Sequence, residues 1–317
     1  MPRRLSPKND FVFISLFGGE DHKDLLISLL NAILDLRGEA QLLEIEIVKN
    51  LRLSQERLDE KTGVLDIRAR TVAGVEINIE IQLLNQYNME KRTLFYWSKI
   101  FTEQLKPGQN FSELKKTIAI NILDFDFLAI ERYHGIFHLW EDIQKDYLLT
   151  DVLEIHFIEL TKFSHESQDL KNPLHRWLMF LEDISPDMLE VLKMEDQAIA
   201  RAETVLEWLS CDKETLRLYE LREKAVHDEV TRMEGTYEKG KLEGKLEGKL
   251  EGKLEGKLEG RAEGEAKGKL EGKLEGKLEG KLEGKIEIAQ KMLLKGTPDD
   301  MVAEITGLPI DRVRKIK

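Results

Sequence analysis

Alternation of side-chain character over residues 64–70, and strictly so over 75–82, constrains this chain more than any other feature. Alternation with a period of two specifies β-strands. In the first run Val64, Asp66, Arg68 and Arg70 share one face, and Leu65, Ile67 and Ala69 the other. In the second, Glu76, Asn78, Glu80 and Gln82 share a face opposite Val75, Ile77, Ile79 and Ile81. Residues 71–74, Thr-Val-Ala-Gly, supply a turn in which Gly74 is free to take a positive φ. Paired as a hairpin, the two runs project Asp66, Glu80 and Gln82 from one side of the sheet. Adjacent carboxylates repel unless something positive lies between them, and a divalent cation is the usual solution. Mg2+ keeps one or two protein carboxylates and fills its other positions with water and phosphate oxygens, which points to phosphodiester hydrolysis. Antiparallel hairpins with one solvated polar face are also common, so spacing alone leaves both readings open.

The residues around the hairpin add a pattern. Asn9-Asp10-Phe11-Val12-Phe13 with Leu16-Phe17-Gly18, then Val64-Leu65-Asp66-Ile67, then Ile79-Glu80-Ile81-Gln82, then Lys91-Arg92-Thr93-Leu94-Phe95-Tyr96-Trp97 occur in that order. The series resembles the Rpn family of recombination-promoting nucleases, also described as transposases, within the PD-(D/E)XK nuclease superfamily. It covers about the first half of the chain, and a repetitive tail is also common in that family. The resemblance implies an α/β, restriction-endonuclease-like αβββαβ core. It further implies that Asp66 and Glu80 bind Mg2+, with Mn2+ as a substitute, and that Gln82 orients or polarises the attacking water. DNA would be the substrate, and its breakage would promote recombination or mobile-element transfer.

Two departures qualify that implication. Gln82 stands where the superfamily's motif has Lys and cannot supply its positive charge. Lys61, in the adjacent loop, is a candidate replacement. Ile14 occupies a position where the family's signature often carries Lys. Asp10 belongs to the signature, and is either a third acidic ligand or a helix cap. The alternative to an enzyme is a catalytically weak or inactive nuclease fold that binds DNA or oligomerises. A purely structural protein would require Asp66 and Glu80 to point apart.

Net charge is −12 at pH 7, unexpected where phosphate neutralisation dominates affinity. The imbalance is local. Residues 1–130 carry 17 basic and 19 acidic side chains, whereas 131–235 carry 12 and 24. The first segment can therefore present a basic face, and the second is expected not to touch nucleic acid. One cysteine, Cys211, excludes an internal disulfide framework and suits a reducing cytoplasm. No apolar run approaches the roughly 20 residues that span a bilayer, and the N-terminus lacks the apolar stretch of a signal peptide. A cytoplasmic protein without membrane contact is expected.

Along the chain, the pattern predicts a helix over 10–17, an amphipathic helix over 21–36 and a strand over 42–48. After the hairpin come a helix over 89–105 and an apolar strand over 117–123. Lys91, Arg92, Lys99 and Lys106 form either a phosphate-facing stripe or a solvated one, while Leu94, Trp97, Ile100 and Phe101 face the core. Tyr96 and Gln104 are candidate supporting polar groups. A further strand is expected over 152–160, a helix around 177–181, and mostly helix over 186–234. His134 and His138 are four apart, as two helical metal ligands would be, but Gly135 and the lack of a third nearby ligand favour ordinary histidines.

Four segments result: a nuclease-like core over 1–130, an acidic extension over 131–235, a Lys-Leu-Glu-Gly repeat over 236–285 and a small helical end over 286–317. A period of four advances about 400° per repeat, so the leucines wind round a helix instead of forming a coiled-coil stripe. Each repeat glycine costs about 1 kcal/mol relative to Ala, and like charges recur four apart. The tail is expected to be dynamic alone and helical on self-association, which makes a homo-oligomer expected; a flexible charged linker is the rival. Residues 297–316 read as helix, Thr-Gly-Leu turn, helix, with Thr297 as N-cap, either a weak DNA-contacting helix-turn-helix or a packing module.

Overall fold

The computed structural model describes residues 4–48, 66–85 and 87–316; Lys61, Val64 and Leu65 lie outside these. The chain divides into two compact units, Met1–Met233 and Glu234–Lys317.

The first unit is built on a sheet of six strands among the described residues: β1 (Ile45–Ile47), β2 (Asp66–Thr71), β3 (Glu76–Gln82), β4 (Thr117–Leu123), β5 (His134–Trp140) and β6 (Leu148–Glu159). Their spatial order is β1-β2-β3-β4-β6-β5, with β3/β4 and β4/β6 parallel and the other pairs antiparallel. Helix α3 (Met89–Glu103) carries the chain from β3 to β4, the crossover that a parallel pair requires. Preceded by α1 (Asp10–Phe17) and α2 (Lys23–Ile33), this is the expected αβββαβ order. Strand β4 coincides with the apolar run over 117–123. Gly74 takes φ 83° in the β2–β3 turn, with a Cβ there placed 3.2 Å from the Lys115 side chain.

One face of the sheet carries Ile67, Ala69, Ile77, Ile79, Ile81, Ile118, Ile120 and Ile122, buried in the main core. Against it pack α1, α2, α4 (Leu160–Phe163), α5 (Pro173–Leu181) and α7 (Gln197–Cys211). Phe13, Phe17, Trp177 and Phe180 form a chain of edge and tilted ring contacts through its centre, with centroids 4.8–5.7 Å apart. The opposite face meets α3, where Met89, Ala119, Leu123, Leu153, Ile155 and Phe157 make a second, smaller core. The polar alternates of β2 and β3 open on this second side.

Several sequence expectations shift. Leu94 is exposed rather than core-facing, and Thr93 takes the buried position, where its hydroxyl donates to Asn121 Oδ1 at 3.0 Å. His134 and His138 lie on strand β5, not on a helix. There a Cβ at position 135 would stand 2.9 Å from Leu128 Cδ1, so Gly135 admits the Leu128 side chain against the strand. Helix α6 (Pro186–Glu195), α7 and the start of α8 (Lys213–Leu294) bear out the helical reading of 186–234.

In the second unit the repeat is α-helical throughout, the conformation favoured by Lys, Leu and Glu. Its leucines from 242 to 278 are exposed, and a Cβ added at any repeat glycine meets nothing within 4 Å. After Gly296, α9 (Asp299–Thr306) and α10 (Ile310–Arg314) fold back, burying Ala289, Val302, Leu308 and Val313 together. Pro298, not Thr297, is the N-cap of α9, and Gly307 at φ 62° ends it.

Candidate active site

The site grows from the β2–β3 register. Asp66 pairs directly with Glu80, Arg68 with Asn78 and Arg70 with Glu76. Directly opposed residues of an antiparallel pair share a face. On the other side of β3, the parallel register sets Glu80 beside Asn121.

Along this polar face charge is distributed unevenly. At the turn end, Glu76 is buried and neutralised twice, accepting from Arg68 Nε at 3.1 Å and from Arg70 Nε at 2.5 Å. Arg68 reaches on to Glu103 of α3 at 2.7 Å. The ion network fixes α3 over the sheet and leaves Glu76 no free oxygen. Glu80, one step further along, is only 2% exposed. Two groups converge on its Oε2: Gln82 Nε2 donates at 3.4 Å, and Arg92 Nη2 lies 3.6 Å away. Between them Asn78 is buried, with its Oδ1 accepting no hydrogen bond among the described residues. Asp66 lies opposite Glu80 in register, and carboxylates are the donors a hard divalent cation prefers, although no group of three such ligands is assembled among the described residues.

Arg92 is held in place by its own helix. Its guanidinium lies 5.7 Å from the centre of the Tyr96 ring, one turn further along α3, in cation–π range. Thr93, next to it, is tied to Asn121, whose Nδ2 donates to the His156 carbonyl at 3.1 Å. Gln104 anchors the far end of α3, donating to Thr117 Oγ1 at 2.8 Å. Both polar residues singled out on this helix thus have partners: Tyr96 supports Arg92, and Gln104 supports the strand. From the basic stripe it is Arg92 that reaches the carboxylate, while Lys91 and Lys99 are exposed.

Asp10 lies in the first turn of α1, where its Oδ1 accepts the Phe11 N–H at 2.8 Å, although the N-cap residue is Asn9. Asn9 caps α1, its side chain accepting from the backbone of Phe11 and Val12. Asp10 receives Arg222 of α8, whose Nε donates to both carboxylate oxygens at 2.7 and 2.8 Å. Lys8, which no sequence pattern marks, bridges Asp124 at 3.1 Å and Glu182 at 3.4 Å. Asp124 in turn donates its backbone N–H to the Gln82 carbonyl at 2.9 Å, fixing the end of β3. Burial pulls the Lys8 ammonium down, but its two acidic partners outweigh this and hold it above its ordinary value.

A mixed sheet in αβββαβ order, with an acid on each of two paired strands and Glu-x-Gln on the second, defines a PD-(D/E)XK-type nuclease fold. Comparison with known families agrees: the model for the PD-(D/E)XK nuclease family transposase matches residues 7–236. The chain belongs to that family. No curated protein and no solved structure matches it.

Proposed function

We propose that the protein is a metal-dependent DNA endonuclease in which Asp66 and Glu80 hold Mg2+, with Mn2+ able to replace it. The observation that carries this reading is the convergence on Glu80: Asp66 opposite it in register, with Gln82 and Arg92 both directed at its Oε2. A cation bound at these oxygens would activate water and offset the charge that builds on a phosphate under attack. Gln82 fixes the Glu80 carboxylate through its amide N–H and keeps its carbonyl oxygen as an acceptor that orients the water. Being neutral, it supplies no positive charge; Arg92 places a guanidinium at the same carboxylate instead. The biological role that fits is DNA breakage serving recombination or mobile-element movement, in the cytoplasm.

Self-association of the tail completes the reading. Its leucines from 242 to 278 are exposed, and its glycines answer to no close approach within the chain, so both features find their use between copies. A second reading, a nuclease fold that binds DNA without cutting it, draws on the neutral Gln82.

Nicking of supercoiled plasmid separates the two. Purified protein is expected to convert plasmid with Mg2+ or Mn2+, to stop in EDTA, and to lose activity in both Asp66→Ala and Glu80→Ala. DNA binding with equal residual nicking in wild type and both variants would refute the enzyme and leave the binding module.

A further inference from the structure

Helix α3 carries a second surface beside the one that meets Glu80. Lys91, Phe95 and Lys99 recur at intervals of four, so they share a face and stand about 6 Å apart along the axis. Both lysines are exposed, and Phe95, between them, is 63% exposed. A large aromatic ring held this open to water on a polar helix buries little apolar area for the fold. Tyr87, just before the helix, is 82% exposed and adopts φ 58°, a left-handed conformation that is uncommon for a tyrosine.

This surface is continuous with the proposed site. Phe95 meets Tyr96 edge to face, with ring centres 5.4 Å apart; Tyr96 carries the Arg92 guanidinium at 5.7 Å, and Arg92 lies 3.6 Å from Glu80. A cation–aromatic–cation stripe leading away from a phosphate-cleaving centre has the composition that unpaired nucleic acid needs. The lysines neutralise successive phosphates and the ring offers a face to a base. In duplex DNA the bases are already stacked, and an exposed ring has no face to meet.

We infer that Phe95, flanked by Lys91 and Lys99, is a base-stacking platform, and that the substrate is single-stranded or locally opened DNA. The inference rests on the nuclease reading for the location of the scissile phosphate, but the stacking itself needs no catalysis. It is therefore tested by binding in EDTA.

Fluorescence anisotropy of the full-length protein would compare a labelled oligothymidylate, an abasic strand of equal length and a blunt duplex. Wild type should bind the thymidylate about tenfold more tightly than the abasic strand, which has the same charge but no bases. Phe95→Ala should abolish that preference and leave abasic binding unchanged, while Phe95→Trp retains it. Lys91→Gln with Lys99→Gln should weaken both strands alike and flatten the salt dependence. Equal affinity for the thymidylate in wild type and Phe95→Ala would overturn the proposal even if plasmid nicking succeeds. A base preference lost in Phe95→Ala would sustain it even if nicking fails. A concentration-dependent mass that Phe95→Ala abolishes, without any base preference, would overturn it in favour of a contact between copies.

Discussion

Acidification should weaken the first unit through one histidine pair, by an amount that follows from its geometry. His134 Nε2 lies 2.9 Å from His156 Nδ1, and His156 Nε2 lies 2.7 Å from Glu154 Oε1. Glu154 Oε2 also meets His138 Nε2 at 3.1 Å and Lys116 Nζ at 2.5 Å. Since His156 gives its Nε2–H to Glu154, its Nδ1 accepts from His134 Nε2, and a charge on His134 would be buried beside that ring and Arg132. Burial above all, then His156 and Arg132, pull its pKa from 6.5 down to about 4, against a smaller opposing pull from Glu154. Because the folded value lies below the unfolded one, the unfolded chain binds the extra proton between pH 6.5 and about 4. Stability conferred by neutral His134 is full above pH 6.5 and falls as pH drops through that window. Integrated from pH 8 to pH 5, the loss is about 2 kcal/mol. Glu154 is also held below its ordinary value, by the hydrogen bonds from His156 and Lys116 against the cost of burial, so its contribution is lost only at still lower pH. Urea unfolding followed by tryptophan fluorescence measures this cleanly, since Trp97, Trp140, Trp177 and Trp208 all belong to the first unit and the helical tail is silent. His134→Gln retains an N–H donor for His156 without the titration. It should therefore lose about 2 kcal/mol less than wild type between pH 8 and pH 5. Identical losses in the two proteins would refute the assignment of the effect to His134.

Two further substitutions probe the site and the core. Arg92→Gln should lower the nicking rate about a hundredfold, as expected when a fixed charge is withdrawn from a reacting phosphate. DNA affinity in EDTA should change little, and Arg92→Lys should recover much of the rate; a parallel loss of binding would make Arg92 a phosphate anchor. Trp177→Ala removes a fully buried ring that packs on Phe17 and Phe180 and donates to Ser28 Oγ at 3.2 Å. It should cost about 3–5 kcal/mol, read as a lower urea midpoint in near-UV circular dichroism.

How much of this was legible in the sequence follows from the range of each interaction. The hairpin was legible because a period of two sets the face of every residue, and a four-residue turn leaves little choice of register. That puts Glu80 and Gln82 on one face with Asn78 from local pattern alone. The apolar run over 117–123 was legible as a central strand for the same reason. Arg92 was visible only as one of four basic residues on a helix. Which of them meets the carboxylate depends on the rotation of α3 over the sheet, set by Thr93–Asn121 and Arg68–Glu103, and no helical pattern encodes that. The same rotation put Thr93 inside and Leu94 outside. The spacing of His134 and His138 suits a helix face, yet four apart equally fits two residues on one face of a strand, which is what forms. Asp10–Arg222 was beyond reach, because no local rule pairs residues 212 positions apart.

That last contact belongs to a set. Arg4 reaches Glu203, the Leu5 N–H reaches Ser210 Oγ, and Asp10 reaches Arg222, spanning 199, 205 and 212 residues. Closing a loop of about 200 residues costs roughly 2 kcal/mol more than closing one of 20, by the logarithmic dependence on length. Nothing repays that cost until α7 and the start of α8 are in place. The β2–β3 hairpin and the crossover through α3 close much shorter loops and can form early, whereas the N-terminal segment must wait for its partners. Refolding of this unit should thus be slow for its size, with the final step at the N-terminus and not at the sheet. In synthesis the order is the same: residues 4–10 are made well before the partners that satisfy them.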